Sequence, residues 1–509
     1  MSRKYSRINR AGSNFYVNKI NYLRILAGKE RLLGRRARSH TVKLVLCSSA
    51  AFFLITHVIL SLLNLRVVFT MNPHILEYSA IISAVAGFSW PYVYYYVKAH
   101  SRGNAVESEL KYFIISEGVS TTNASELISD LVSTKDWSHV FPTLSKESIR
   151  FLKLRKFMAL YDTIRYYTRW ITSRWVSKCL TDYIHSLSLG TALEWLQDKT
   201  DELINELRSS TQAAIKLRTT VSLILAVILG YVPPLMAALS LLVGEEVVVK
   251  AFLMTLLATP LSMLLIPKLP CHARITSRIL DANIPLALGV ACATTAATVL
   301  ITYVIKDNVN VVLTAATCLL VWGSIKTYCY FRGITEAFEL PRLLARISEA
   351  PLVISNPCRL FAEILSSSRV RSFKYVGSRF KLDKVNELAS ELNLWTSKFV
   401  LYVIAKSIIN GALTRERTLK LRELILDFTR DIKSLLATNT VIVVMTALLP
   451  YIISSISGLA THSLLLGVYS LVTSVMFSVY ASYVVFGDLT NTLLPGMALL
   501  MLYLIGGSL

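Results

Sequence analysis

The 509-residue chain is strongly apolar and strongly basic. Hydrophobic residues make up 53% of it and charged residues only 17%, whereas a soluble domain has about 25% charged residues. Its mean hydropathy is +0.51, and its 54 Lys and Arg exceed its 32 Asp and Glu to give a net charge of +22. This composition excludes an ordinary soluble globular protein.

Nine apolar segments are each long enough to cross a bilayer as a helix, which takes about 18 or more residues. They are residues 44–63, 75–97, 219–243, 247–267, 284–305, 309–328, 438–458, 462–486 and 489–507. The first 43 residues carry twelve Lys or Arg and one Glu and contain no apolar run. We therefore expect a cytoplasmic basic tail and no cleavable signal peptide.

This topology explains the net charge. With the N-terminus inside, all but three of the 54 basic residues fall on or beside the inner face, as the positive-inside rule requires. No zinc-finger or RNP-like motif accompanies the charge, so we expect no nucleic-acid partner. The sequence predicts an all-α, multi-pass protein of the cell membrane with about nine transmembrane helices.

The apolar segments divide the chain into six parts, two of which are long enough to form helical-bundle domains in the cytoplasm. The parts are a basic cytoplasmic tail (1–43), transmembrane helices 1–2 (44–97), a first cytoplasmic helical domain (98–218), transmembrane helices 3–6 (219–330), a second cytoplasmic helical domain (331–437) and transmembrane helices 7–9 (438–509).

Each cytoplasmic segment ends in an amphipathic pattern that runs into an apolar segment. Apolar residues recur at steps of three or four, which predicts helices that continue into the membrane without interruption. They are Leu189, Leu193, Leu196, Thr200, Leu203 and Leu207 in the first copy, and Leu421, Leu424, Phe428, Ile432 and Leu435 in the second. Both apolar segments contain proline, where we predict kinks: Pro233 and Pro234 in one, Pro450 in the other. These parallels predict a duplicated unit.

No motif of catalysis or nucleotide binding is present. The sequence lacks GxxxxGK[ST], GxGxxG, HExxH and GxSxG, and its seven cysteines are scattered without a CxxC. We therefore predict no enzyme activity, no catalytic residue, no cofactor and no metal site. The centres of the apolar segments hold no acid or base, which argues against an ion-coupled carrier.

A basic, aromatic segment precedes an acidic one. Residues 145–178 include Arg165, Arg169 and Arg174 among interleaved aromatic residues. They could bind an acidic partner or anionic lipid, or they could be a solvated face whose aromatics belong to the core. The acidic neighbours are Glu194, Asp198, Asp201 and Glu202, with Lys199 between them.

The order of motifs in this region is distinctive. A Glu-Leu pair precedes a short hairpin, "FIISEGVSTTNASELISDLVS", and then "SRWVSKCLTDYIHSLSLGTALEWLQDKTDELINEL" leads directly into an apolar segment. This resembles the archaeal version of the type II secretion system F domain over about 98–245, with a weaker second copy at about 331–460. Lys199, Glu202 and Leu203 match the family's Lys-x-x-Glu-Leu-like run, and Gly118 and Gly190 fall where its hairpins turn. The family's Gly-Gly-Asp at the second turn is reduced here to "SLGTA".

The resemblance implies a membrane platform of type IV pili, archaella or type II secretion systems. Such a platform is a homo-oligomer, here expected to be a dimer, in contact with membrane lipid. It docks on a hexameric secretion ATPase and lifts pilin-like subunits from the bilayer. We assign the candidate docking surface to Arg165, Arg169, Arg174, Glu194, Asp198, Lys199, Asp201 and Glu202.

Two other functions fit parts of the pattern. A permease subunit of an ATP-driven transporter would also lack a P-loop, but would contact its ATPase through a short coupling helix. A scaffold or lipid-surface organiser without a motor would use the basic segment alone.

The predicted topology can be tested by labelling intact cells. Cysteines introduced near residues 150 and 380 should resist a membrane-impermeant maleimide until the cells are opened, because both positions are predicted to face the cytoplasm. Labelling at either position from outside would contradict the topology.

Overall fold

The computed structural model describes about two thirds of the chain. The described residues are 99–120, 127, 130–131, 134–243, 254–255, 258–267, 269–275, 311–350, 356–459, 464–487 and 491–506. The basic tail and the predicted spans 44–63, 75–97 and 284–305 lie outside the described residues, as do residues 247–253 and 256–257 of the span 247–267.

The described residues form an all-helical structure. The helices are α1 (99–120), α2 (Pro142–Arg155), α3 (Leu160–Trp170), α4 (Arg174–Leu189), α5 (Ala192–Val243), α6 (Val311–Glu349), α7 (Pro357–Ser366), α8 (Arg371–Ser378), α9 (Val385–Ala389), α10 (Trp395–Ile409), α11 (Arg415–Leu459), α12 (Leu464–Phe486) and α13 (Leu493–Gly506). Short 3₁₀ turns lie at Thr134–Trp137, Cys271–Ala273 and Leu382–Lys384.

The chain divides into two compact units. One comprises Met1–Leu110 and Lys146–Gly190, and the other comprises Lys111–Ser145 and Thr191–Leu509. The second unit contains elements of both segments that the sequence assigns to the cytoplasm, 98–218 and 331–437.

In the first unit, α2 and α3 form a hairpin whose base is fixed to the start of α1. The rings of Phe151 and Tyr167 meet edge to face with centroids 5.9 Å apart. Arg102 of α1 forms an ion pair with Glu147 of α2, and the Thr172 hydroxyl donates to the carbonyl of Ala99 at 3.0 Å. These contacts place the end of α3 beside the first turn of α1.

The part of the second unit that lies outside the apolar, span-length stretches is called here the water-facing core, and it is built around α10. Every residue from Trp395 to Ser407 is buried, as expected of a helix that is apolar on all sides. Its aromatic neighbours include residues of both segments that the sequence assigns to the cytoplasm: the centroids of Tyr112 and Trp395 lie 4.7 Å apart, and those of Trp137 and Tyr402 lie 4.6 Å apart. The two segments therefore contribute to one core.

Two glycines end the helices that precede α5 and α11. Gly190 follows α4 with φ +76°, and Gly411 follows α10 with φ +62°. The left-handed region is disfavoured for residues with a Cβ, so glycine is the usual residue at such a helix end. The predicted turn at Gly190 is confirmed. The predicted turn at Gly118 is wrong, because Gly118 lies within α1 and packs against Thr200.

The long helices α5 and α11 are continuous, as predicted. They contain 52 and 45 residues and run through Pro233, Pro234 and Pro450. The buried stripe of α11 is confirmed at all five predicted positions. That of α5 is confirmed only from Leu196 onward: Leu189 is the last residue of α4 and is 64% exposed, and Leu193 is 41% exposed. The helix break at Gly190 takes Leu189 out of the stripe.

Three described helices contain stretches long and apolar enough to cross a membrane: Ala192–Leu239 in α5, Arg415–Ile453 in α11 and Tyr469–Phe486 in α12. A shorter apolar stretch, Leu493–Leu504, lies in α13. The protein is therefore described as a membrane protein, and the nine-span count stays a prediction.

The directions of these helices are those that the predicted topology requires. Tyr480 and Tyr469 of α12 donate to the carbonyls of Ser222 and Pro233 of α5 at 2.7 and 3.2 Å. The residue numbers rise along one helix as they fall along the other, so α5 and α12 are antiparallel. By the same reasoning α6 and α13 are antiparallel, because α13 contacts α6 near Gly323 through Leu493 and near Leu320 through Gly496.

The crossing of α6 and α13 depends on the absence of a side chain at Gly323. A Cβ at this position would overlap the backbone N and Cα of Leu493. Small residues allow such close approach between apolar helices. Gly230 of α5 provides a matched contrast, because a Cβ there would lie 3.6 Å from Phe477 and 3.7 Å from Met445, in ordinary van der Waals contact.

We expect Gly323→Ala to destabilise the protein by about 1–3 kcal/mol, because the backbone of α13 must shift. Gly230→Ala should cost nothing or stabilise by up to about 1 kcal/mol, because alanine favours helix. Thermal unfolding in detergent measures both. Equal melting temperatures for the two variants would contradict this account of the crossing.

Candidate functional site

The long helices α5 and α11 pack side by side and run in the same direction. Arg208 Nε of α5 lies 2.7 Å from Asp427 Oδ2 of α11, and Lys420 Nζ of α11 lies 3.5 Å from Asp201 Oδ1 of α5. Both pairs join residues 219 positions apart, and they are one heptad, or about two helical turns, from each other. The two helices therefore keep one register along this stretch.

The contact between α5 and α11 continues into the apolar halves of both helices, which are long enough to cross a membrane. Ala226 and Leu229 of α5 share a buried cluster with Ile442, Leu449 and Ile453 of α11. The pair thus stays together from the charged region through the apolar region. The Lys420–Asp201 pair is exposed and the Arg208–Asp427 pair is half-buried. Ion pairs open to water contribute little to stability, so the buried apolar surface provides most of the attraction.

Helix α1 joins this pair near its charged end. Lys111 Nζ lies 2.8 Å from Glu206 Oε1, and Gly118 approaches the side chain of Thr200 so closely that a Cβ would overlap it. The Thr200 hydroxyl is satisfied within its own helix by the carbonyl of Leu196 at 2.6 Å. Helix α1 therefore packs directly on the charged part of α5.

Arg218 lies at the point where α5 becomes apolar, and it binds the ends of two other chain segments. This residue is 2% exposed. Nη1 donates to the carbonyl of Pro267, and Nη2 donates to the carbonyls of Tyr483 and Val484 at 3.3 and 3.0 Å. The last carbonyls of a helix have no partner within it and carry its negative dipole end, so a cation is favourable there.

Helix α11 makes the equivalent contact one residue further along α12. Asn439 Nδ2 donates to the carbonyl of Val485 at 3.1 Å, and the ring of Tyr330 from α6 lies 5.1 Å from that of Phe486. The predicted inner ends of five spans, at 219, 267, 328, 438 and 486, are therefore brought to one level. We define Arg218, Asn439 and the carbonyls they bind as the junction.

The loop after Pro267 docks on the water-facing core. His272 is fully buried and stacks on Phe428 of α11 with centroids 4.3 Å apart. Thr396 of α10 donates its hydroxyl to the carbonyl of His272 at 2.7 Å. Burial lowers the pKa of His272, although Asp431, 3.4 Å away, acts in the opposite direction. The imidazole is therefore neutral at physiological pH and packs as an aromatic ring.

A buried charged cluster joins α1 to α10. Glu117 is fully buried and forms an ion pair with Lys406, whose Nζ also lies 3.1 Å from Asp130 Oδ2. The hydroxyl of Tyr402 is 3.5 Å from Glu117 Oε1. Burial raises the pKa of Glu117 to about 7, because desolvation outweighs the attraction of the ammonium and Asp130 adds like charge. Glu117 therefore binds a proton near neutral pH.

A second buried carboxylate, Glu336 of α6, holds the other end of α10. It accepts from the backbone N–H groups of Asn393 and Leu394 at 3.0–3.1 Å, from the Asn393 amide at 2.8 Å and from the Ser372 hydroxyl at 2.8 Å. These N–H groups precede the first turn of α10, where a negative charge is favourable. Glu336 thus fixes the position at which α10 begins.

The structure separates the predicted docking residues into two groups. Arg165 and Arg169 lie on α3 and Arg174 begins α4, all exposed and all in the first unit. The other group lies on α5 in the second unit: Glu194, Asp198, Asp201 and Glu202 are exposed, and Lys199 Nζ lies 2.7 Å from Glu202 Oε2. Their role in docking stays a prediction.

Sequence patterns did not single out Arg218, Glu117, Lys406 or Glu336. Arg218 has one detectable signal, since it is the last charge before a predicted span. Lys406 lies in an apolar run too short for a span, which favours a buried core helix. Across the part of the chain that the structure describes, no three His, Cys, Asp or Glu side chains are arranged to hold a metal ion. The chemistry available at these positions is proton binding and charge-assisted hydrogen bonding.

The raised pKa of Glu117 predicts a pH-dependent stability. Its folded-state pKa, about 7, exceeds the ordinary 4.5, so its contribution is complete below about pH 4.5 and is lost as the pH rises through 7. Glu117→Gln should remove this term. We expect its melting temperature in detergent to fall less than that of the wild type between pH 5 and 8, by on the order of 2 °C.

The matched control is Glu363→Gln, which removes an exposed carboxylate paired with Arg359 at 3.0 Å. Its curve should run parallel to that of the wild type. If the Glu117→Gln curve were also parallel, the proton assigned to this cluster would be absent.

Comparison with known proteins places the chain in no established group: no family model, no curated protein and no solved structure matches it.

Proposed function

We propose that this protein is the membrane platform of a filament-assembly machine of the type IV pilus or archaellum kind. In this role it couples a hexameric secretion ATPase in the cytoplasm to the movement of pilin-like subunits out of the bilayer. It acts without catalytic residues or a cofactor of its own, as a multi-pass protein with a cytoplasmic N-terminus and in a dimer.

One observation carries the proposal. Two helices, α5 and α11, each run without interruption from a charged region into an apolar region long enough to cross a membrane. They are parallel, they share one register, and they are joined by ion pairs in the charged half and by a buried cluster in the apolar half. A displacement of the charged end therefore moves the apolar end.

The charged end has a surface suited to a partner that pushes or rotates it. Glu194, Asp198, Asp201 and Glu202 project from the first turns of α5. Asp201 also contacts Lys420 of α11, so a partner bound here would bear on both helices. Acidic side chains on such a surface favour a basic partner and speed its association. We assign ATPase docking to this face.

The prolines mark where a rigid movement of α5 and α11 would be passed on to neighbouring helices within the membrane. Pro233 and Pro234 remove two backbone donors from α5, and the hydroxyl of Tyr469 donates to the carbonyl of Pro233. We propose that this contact, with Pro450 of α11, transmits the displacement to α12 and so to the space in which a pilin-like helix is lifted.

The experiment interrupts the lever without substituting any residue. Insertion of Gly-Gly after Ser209 rotates the rest of α5 by about 200° relative to its charged end and adds two poor helix formers. We expect the variant to enter the membrane and retain its ATPase, while filaments are no longer assembled. Electron microscopy of cells and co-purification with the ATPase measure the two outcomes.

The matched control places the same Gly-Gly between Gly190 and Thr191, in the turn before α5. Filament assembly should survive there, because no helix is broken. Normal filaments with the Ser209 insertion would refute the lever, and co-purification with a dimeric transport ATPase would instead indicate a permease subunit.

A further inference from the structure

The α2–α3 hairpin of the first unit exposes a basic and apolar tip. Phe157 is 86% exposed, Tyr161 59% and Met158 39%. Lys153, Arg155 and Lys156 flank Phe157 and are also exposed, as are Arg165 and Arg169 further along α3. One exposed carboxylate, Asp162, lies among them. Large side chains so accessible to water have a cost unless another apolar phase covers them.

The base of the hairpin lies close to a predicted membrane boundary. The Thr172 hydroxyl binds the carbonyl of Ala99, only two residues after the predicted span 75–97. Ser173 then binds Glu107 Oε2 at 2.7 Å, and Arg102 binds Glu147. From Glu147 to the end of α2 is eight residues, or about 12 Å. The tip is therefore within reach of the lipid headgroups.

We infer that the tip, defined as residues 153–161 with Arg165 and Arg169, binds the anionic headgroups of the inner leaflet. Its chemistry fits that partner: phosphate attracts Lys and Arg, and Phe, Tyr and Met can enter the boundary between headgroup and acyl chain. An acidic protein would be attracted by the same cations. The protruding Phe157 and the nearby span end favour the membrane, since a lipid surface accepts apolar side chains without a shaped pocket.

The consequence for the molecule is a second attachment of the first unit to the bilayer, additional to its predicted spans. Arg165 and Arg169 are then lipid contacts, and ATPase docking is left to the acidic face of α5. The inference does not depend on the proposed function, because it concerns only the hairpin and the lipid.

Hydrogen–deuterium exchange of the full chain in nanodiscs tests it. One set of nanodiscs contains phosphatidylcholine alone, and the other contains an equal share of phosphatidylglycerol. We expect peptides covering residues 153–161 to exchange about tenfold more slowly in the anionic nanodiscs, since each cation near an anionic surface strengthens binding by about fivefold. The triple variant Lys153→Glu, Arg155→Glu, Lys156→Glu should lose this protection.

The control reverses three exposed lysines elsewhere, Lys374, Lys381 and Lys384, with the same change in net charge. It should leave the protection of 153–161 unchanged, and Phe157→Ser should reduce it without altering any charge. Equal exchange in the two lipids would overturn the inference. So would protection that appears only when a secretion ATPase is added, because the tip would then bind protein; filament assembly does not enter either outcome.

Discussion

The arrangement of the second unit depends on how a buried guanidinium is satisfied at the junction. A charged group taken out of water is costly unless hydrogen bonds or an opposite charge compensate it. Arg218 is compensated at Nη1 and Nη2, which bind three carbonyl groups at the ends of two chain segments, while its Nε has no hydrogen-bond partner among the described residues. The carbonyls of Tyr483 and Val484 lie in the last turn of α12, where a cation is favourable, so these hydrogen bonds hold the predicted inner ends of the apolar helices at one level.

Asn439 makes the corresponding hydrogen bond from the second long helix, α11. Through Arg218 and Asn439, α5 and α11 both bind the end of α12, and α12 runs antiparallel to them and shares their buried apolar cluster. A shift of either long helix along its axis must therefore break a hydrogen bond at the junction or carry α12 with it. This links the charged halves of the helices to the packing of the apolar halves.

The water-facing core is fixed by carboxylates placed at the two ends of one helix. At the start of α10, Glu336 has several donors and is fully satisfied. Towards its end, Lys406 pairs with both Glu117 and Asp130, and burial raises the pKa of Glu117 to about 7. The first site sets the position at which α10 begins, while the second responds to pH.

The sequence by itself determined the helical class, the membrane character and the continuity of the long helices. These follow from local patterns: apolar runs of span length, a repeat of three or four residues, and no strong break between Thr191 and the span at 219. The family resemblance read from the sequence also placed a turn at Gly190, which has the left-handed backbone conformation that favours glycine. Gly118 and Leu189 were misplaced. The sequence alone does not show whether a glycine lies within a helix or ends one, nor whether a leucine belongs to an amphipathic helix or ends the helix before it.

Only the tertiary structure decided which distant residues meet. The register of α5 against α11, the carbonyls that receive Arg218, and the sharing of Lys406 between Glu117 and Asp130 join positions up to 289 residues apart. Such pairings depend on the path of the whole chain and leave no periodic signal. For the same reason, two segments that read as separate cytoplasmic domains contribute to one aromatic core: each carries an apolar helix face, and the sequence does not state which face covers which.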